Sequence, residues 1–344
     1  MSAPLNSGLL ASRAWRRFRA NRRGYFSLWI FGFLFIFSLF AELISNNKPL
    51  IVHYEGHWYF PVVVSYPETT FGGDFDTEAD YLDPYVRNKI TAGKNWAVYP
   101  LNHYSYDTIN YYGASPNPAA PSAQNYLGTD DRGRDVLARL IYGFRISVLF
   151  AFAITTVMTL LGILAGAIQG FFGGRTDLIG QRVTEVWGSL PQLYLLIILS
   201  SIFSPSIALL ILLLSVFGWM GTANYVRAEF LKGRSMDYVR AAKALGLSNL
   251  TIIRRHLLPN AMTPVITFLP FDLSGTILIL TSLDFLGLGL PPSTPSLGEL
   301  LAQGKDNIEA WWLSLTTFIV LVGTLMLLIF IGEALRESFD PRRG

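Results

Sequence analysis

The sequence predicts an all-α integral membrane protein of six transmembrane helices, with a folded insertion between the first and the second, and three observations lead there. Hydrophobic residues fill 51% of the 344 positions and charged residues only 15%, where an ordinary soluble domain carries roughly 25% charge. Apolar runs recur at about the 20 residues that, rising ~1.5 Å each, cover a hydrocarbon core of about 30 Å. The basic residues gather in the segments flanking those runs, the pattern that orients a multi-pass chain. That clustering accounts for the pI near 9.0, so the positive balance serves topology and no nucleic acid is expected as a partner. With no cysteine in the chain, no disulfide braces an external region and no thiol serves as nucleophile or metal ligand.

Residues 1–24 are basic, with Arg13, Arg16, Arg17, Arg19, Arg22 and Arg23, and belong in the cytoplasm. The first span, residues 25–44, is longer than the apolar region of a signal peptide. Glu42-Leu43-Ile44-Ser45-Asn46 offers no small-x-small cleavage site, so the span is expected to stay as an uncleaved anchor. Residues 45–145 then lie outside the membrane. Eleven of the sixteen tyrosines fall between Tyr54 and Tyr126, beside the strand-like run Tyr59-Phe60-Pro61-Val62-Val63-Val64 and the turn Phe71-Gly72-Gly73-Asp74. So many aromatics argue for a small packed module against a disordered tether, and they would suit a docking partner. Residues 131–144 read as an amphipathic helix on the outer membrane surface. Val136, Leu137, Leu140, Ile141 and Phe144 turn toward lipid or protein there, and Arg132, Arg134, Asp135 and Arg139 toward water.

The remaining five spans make up a core over residues 146–335. The second, 146–172, offers Gly162, Ala165, Gly166 and Gly170 as small faces for tight helix contact. The third, 183–203, is broken near its start by Pro191, and an outer turn at Ser204-Pro205 leads to the fourth, 206–226. The fifth, 261–283, contains Pro264, Pro270, Asp272 and Gly275, breakers tolerated only where neighbouring helices or a watery path satisfy the freed backbone. The sixth, 311–334, opens with the interfacial anchors Trp311 and Trp312. Arg175 and Arg182 place one connection inside; Arg227, Lys232, Arg234, Arg240, Lys243, Arg254 and Arg255 do the same for residues 227–260. Arg336, Arg342 and Arg343 keep the tail, 336–344, in the cytoplasm.

Residues 237–260, DYVRAAKALGLSNLTIIRRHLLPN, interrupt the apolar pattern with a helix, a sharp turn and a helix. Arg240 to Leu245 favour helix, Gly246 can take the left-handed C-terminal cap, and Ser248 can N-cap a second short helix that stops at Pro259. Small side chains on the first helix leave its backbone open to close approach, a plug shaped for another protein's groove. Ala241-Ala242, Gly246 after three residues and His256-Leu257-Leu258-Pro259 after nine more resemble the coupling (EAA) loop of ATP-binding-cassette (ABC) importer permeases. Arg240 stands where glutamate is commonest, as it does in the dipeptide and oligopeptide branch; His256 stands where an aliphatic residue is usual. Two more stretches are similar to the C-type permease of that branch. One is Gly128-Thr129-Asp130, Gly133-Arg134-Asp135, Arg139, Gly143, Arg145 and Ser147. The other is Gly287-Leu288-Gly289, Pro291-Pro292, Pro295-Ser296, Gly298 and Gly304.

The resemblance covers the chain outside residues 45–124, an insertion longer than in typical dipeptide permeases. In that length it is nearest to a branch associated with oligopeptides and the peptide-nucleotide antibiotic microcin C. The resemblance implies a type I ABC importer permease fold in the bacterial inner membrane, multi-pass, with both termini cytoplasmic and the insertion periplasmic. It implies ATP-binding subunits docking at Arg240, Ala241, Ala242, Gly246, Leu258 and Pro259. It further implies a second permease subunit, a periplasmic peptide-binding protein, a peptide substrate and surrounding lipid. No cofactor is implied.

The chain is not expected to be an enzyme. Neither Gly93-Lys94 nor Gly304-Lys305 completes a phosphate-binding Gly-x4-Gly-Lys-Ser/Thr loop, so ATP hydrolysis falls to separate subunits. His53, His57 and His103 are weak candidates for a metal, because the flanking Tyr, Pro and Val favour strand over a shared helix face, and no metal site is expected. No Ser/His/Asp arrangement is suggested, since His256 lies in the cytoplasmic loop. Asp272, Pro270 and Asp284 are candidates for the pathway or for helix packing. A carboxylate at the depth of Asp272 is costly and faces a cavity or partner: it lines the substrate path or binds a peptide's amino group, or more plainly hydrogen-bonds a neighbouring helix. Asp284, Glu185 and Glu42 sit nearer the interfaces. Two other classes stay open. An ion-coupled secondary transporter would use Asp272 and the broken fifth span, but it leaves the coupling-loop spacing unexplained and no inverted repeat is evident. A non-transporting scaffold would use the insertion to bind envelope proteins, and leaves the loop idle.

Overall fold

A computed structural model of the chain describes residues 7–109, 111, 116–203, 206–291 and 293–340. The turn expected at Ser204-Pro205, Pro292 and the tail arginines Arg342 and Arg343 lie outside the described residues. The helices are α1 (Ser7–Ala20), α2 (Arg22–Leu39), α3 (Ala41–Ile44), α4 (Pro84–Thr91), α5 (Val136–Phe172), α6 (Gly174–Gly188), α7 (Gln192–Ile202), α8 (Ile207–Gly233), α9 (Asp237–Ala244), α10 (Asn249–Ile252), α11 (Leu258–Phe285), α12 (Leu297–Asp306) and α13 (Trp311–Phe339). Among the described residues four stretches are long and apolar enough to cross a membrane: Val136–Phe172, Ile207–Gly233, Asn249–Phe285 and Trp311–Phe339. The stretch expected as the third span is instead two helices of 15 and 11 residues, α6 and α7, with Pro191 extended between them. A proline ring and its missing N–H block helix continuation at that point. The stretch expected as the first span is α2, of 18 residues, then the four-residue α3 after a break at Phe40.

Two compact units are distinguished, and the first comprises Met1–Gly32, Val148–Pro291 and Val322–Gly344. Its packing follows from small residues on α5. A side chain at Gly162 would lie 2.6 Å from Thr222 Cβ, one at Gly170 2.5 Å from Phe230 Cβ, and one at Gly166 would strike the Ala223 carbonyl. The backbones of α5 and α8 therefore approach as only glycine permits. Ala167, Phe171, Val226, Phe230, Ala261 and Val265 fill the core beside them. The expectation that the second loop helix stops at Pro259 is corrected. A π turn, Ile253–Leu257, carries α10 straight into α11, and Pro259 sits in the first turn of α11, where a proline's missing N–H costs nothing. Pro264 and Pro270 likewise lie inside an unbroken α11.

The second unit comprises Phe33–Ser147 and Pro292–Leu321. It corrects the all-α expectation with a three-stranded antiparallel sheet, order β2-β1-β3, of β1 (Ile51–Tyr54), β2 (His57–Tyr59) and β3 (Trp96–Val98). Glu55 and Gly56, at φ 50° and 81°, make the two-residue hairpin whose twist matches the strands. The strand expected over 59–64 ends at Tyr59, because the Phe60 carbonyl accepts from both Val63 and Val64 N–H groups and turns the chain. Asp83 caps α4 by accepting from Tyr85 N–H at 2.9 Å. Val52, Tyr54, Phe71, Ala79, Tyr81, Val86 and Ile90 form the module's own core, so the tyrosine-rich insertion is packed.

Candidate functional site

The loop between α8 and α11 folds from local signals. The α9 helix ends with Leu245 N–H on Ala241 O at 3.0 Å and Leu247 N–H on Ala242 O at 3.2 Å. Gly246 takes φ 77°, with open space around it. Ser248 accepts from Thr251 N–H at 3.3 Å and starts α10. The loop has two faces. Val239, Ala242, Ile252 and Leu257 are buried against Phe171, Val226 and Phe230, with Leu258 packed alongside. Arg240, Ala241, Lys243, Gly246 and Pro259 are exposed. Two of the six residues expected to meet a partner, Ala242 and Leu258, thus face the chain's own core. The exposed face carries a feature missed from the sequence: Leu245, Leu247 and Leu250 are 81%, 41% and 62% accessible. These three leucines make an apolar knob at the turn, and Arg240, Lys243, Arg254 and Arg255 are exposed in the same loop, the composition of an interface core with a polar rim. Alternation of leucine with polar residues around Gly246 was the available signal.

In the same unit a half-open cleft of about 210 Å³ lies against α11, lined by Ile154, Met158, Leu214, Phe271, Asp272 and Thr276 among others. Asp272 is half-buried, and its backbone carbonyl accepts from the Thr276 hydroxyl at 2.8 Å. Pro270 is buried two residues away. Asp284 is buried; its carboxylate accepts from Leu290 N–H at 2.7 Å and fastens the segment that follows α11. Asp177 pairs with Arg227, with a 2.8 Å hydrogen bond from Nη2.

The signature segment of the second unit is a buried charge cluster. The expected amphipathic helix over 131–144 is corrected: residues 129–135 form a turn, helix begins at Val136, and Arg134, Asp135 and Arg139 are buried instead of facing water. Gly128 and Gly133, at φ 79° and 81°, set the turn. Arg134 Nε donates to Asp130 at 2.7 Å, and its Nη2 reaches Glu299 of α12 at 3.1 Å. Arg139 Nη2 donates to the other Glu299 oxygen at 2.5 Å and its Nε lies 3.5 Å from Asp130. Burial opposes the charge on Arg134, but Asp130 and Glu299 hold it protonated, above its usual value. Asp135 accepts from Asn102 at 2.7 Å, Asn125 at 2.8 Å and Ala138 N–H at 2.8 Å, capping α5; burial still pushes its carboxyl up. Trp312 donates to Thr129 O at 3.2 Å, and Arg145 pairs with Glu42 at 2.9 Å. Every ionised group but Asp135 has an opposite partner, as buried charge requires. Glu299 was missed, and its only sequence signal was its place beside Gly298 in a matched stretch. Among the described residues no group of three or more metal-ligating side chains occurs; His53 stacks on Trp96 at 6.0 Å.

Residues 158–344 match the family described as binding-protein-dependent transport system inner membrane component, and residues 10–58 match the N-terminal TM domain of oligopeptide transport permease C. The chain is 52% identical over 330 residues to the inner membrane ABC transporter permease protein YejE of Escherichia coli (strain K12), covering 96% of each. It is 50% identical over 355 residues to the peptidoglycan transport system permease protein YejE of Agrobacterium fabrum (strain C58 / ATCC 33970), covering 96% of this chain and 93% of that one. In fold it is similar to the MetNI methionine ABC transporter in an inward-facing conformation. There the TM-score is 0.50 and the identity 18%, over 59% of this chain and 98% of the other. That is the mostly helical type I ABC importer permease fold.

Proposed function

The chain belongs to the family of binding-protein-dependent transport system inner-membrane components, and on that premise we propose that it is the C-type permease subunit of a bacterial ABC importer for peptides. The near-full-length identity to two YejE permeases carries this reading. The second relative is named for peptidoglycan transport, which adds peptidoglycan to oligopeptides as a proposed substrate class. In the proposed topology the six crossings are α2, α5, the α6–α7 pair, α8, α10–α11 and α13, with both termini cytoplasmic and the insertion periplasmic. Exposed Trp29 and Phe33 on α2 suit lipid.

In the proposed assembly a periplasmic binding protein delivers peptide to this chain and a second permease. ATP-binding subunits seat the Leu245–Leu247–Leu250 knob, with Arg240, Ala241 and Gly246 against their surface. Closure of those subunits on ATP moves the turn, and with it α10–α11, switching the pathway between outward and inward openings. The family signature around Arg139 and Glu299 fixes the start of α5 against α12. ATP is hydrolysed in the partner subunits.

The test is to tag the chain, solubilise it mildly from native membranes, identify what copurifies and measure peptide-dependent ATP hydrolysis with Gly246→Trp alongside. Recovery of an ATPase and a second permease, with hydrolysis uncoupled by Gly246→Trp, is expected. Recovery of the chain without any nucleotide-binding partner, with Gly246→Trp inert, would refute the reading.

A further inference from the structure

We propose that the cleft beside Asp272 receives the protonated amino terminus of the transported peptide, with the Asp272 carboxylate as its counter-ion. This rests on the peptide-permease reading above. Asp272 lies near the middle of α11, the depth at which a carboxylate is hardest to hold charged without a partner. Among the described residues no basic side chain lines its cleft, whose polar lining besides Asp272 is Gln192 and Thr276. A compensating cation at the cleft therefore comes from outside its described lining. Peptides with a free amino end share one positive charge whatever their sequence, the terminal ammonium, so a carboxylate in the cleft can recognise it in all of them.

The surroundings fit a terminal residue. Ile154, Met158, Leu214 and Phe271 give apolar walls that accept differing first side chains, and about 210 Å³ holds one residue and no more of the peptide. Gly275 opens onto free space, so no side chain obstructs the approach at that point. Thr276 keeps its hydroxyl on the Asp272 carbonyl, leaving the carboxylate to the incoming group. The peptide's terminal carboxylate would be repelled, so the cleft orders the chain amino end first.

The experiment uses the intact importer in proteoliposomes with its binding protein, comparing a free-amino peptide with its N-acetyl twin at saturating load. Asp272→Asn is expected to lower uptake of the free-amino peptide about tenfold, the effect of ~1.4 kcal/mol, and to leave the acetylated peptide unchanged. Asp272→Glu should restore most of the loss. A peptide carrying a photoreactive first residue should label Met158 in the wild type and lose that label in Asp272→Asn. Equal loss for both peptides would overturn the proposal in favour of a packing or partner-pairing role, and so would unchanged uptake of both. Absence of any peptide uptake by the wild-type importer would instead refute the permease reading itself.

Discussion

Arg139 and Arg240 are both arginines at family-pattern positions, yet their environments are opposite. Arg139 is fully buried and paired with Asp130 and Glu299, whereas Arg240 is exposed, 3.9 Å from a still more exposed Asp237. A buried guanidinium must be paired, and removing one partner leaves an uncompensated charge. An exposed pair at that distance contributes almost nothing. The difference teaches that one family pattern serves two ends: the turn before α5 holds the chain together, and the turn after α9 stays exposed, as the proposed docking of ATP-binding subunits requires.

The contrast breaks most easily at Arg139. Arg139→Met should cost about 3–5 kcal/mol, seen as a large fall in melting temperature of the detergent-solubilised chain, and Arg139→Met with Glu299→Met should recover part of it. A melting curve unmoved by Arg139→Met would erase the distinction. Gly166→Leu should cost about 1–3 kcal/mol by forcing α5 from α8, read in the same assay. Ser248→Ala, which removes the cap of α10, should cost about 1 kcal/mol. Leu245→Asp should change stability by under about 0.5 kcal/mol while peptide-stimulated ATP hydrolysis collapses; a destabilised but fully coupled variant would reverse the assignment.

The smallest effect concerns pH. Burial, then nearby Arg87, push the His103 imidazole below its ordinary value of about 6.5. The unfolded chain therefore binds the proton more readily than the folded one. The stabilisation is complete above pH about 6.5 and is lost as the pH falls through the depressed value. Melting temperatures between pH 8 and 5 should show the slope, and His103→Gln should flatten it.

What the sequence disclosed depends on how far apart the interacting residues lie. The turn between α9 and α10 was legible because helix-forming residues, Gly246 and Ser248 all act within a few positions of each other. The spans of α5, α8, α11 and α13 were legible from length and apolarity. The signature cluster was legible as a pattern and not as a structure: Arg134 and Arg139 look water-facing until Glu299, 165 and 160 residues away, is brought beside them. The two faces of the loop were hidden likewise, since Ala241 and Ala242 are chemically identical and only packing against Phe171 and Val226 separates them.

The π turn has a mechanical meaning. Because α10 runs into α11 without a stop, Asn249–Phe285 is one rod of 37 residues, and about 35 Å of it separates the exposed turn from Asp272. A tilt of about 10° at the turn carries the carboxylate sideways by roughly 6 Å, more than the width of the carboxylate itself. Pro264 and Pro270, each lacking the N–H that would stiffen the rod, are the places where that lever can flex.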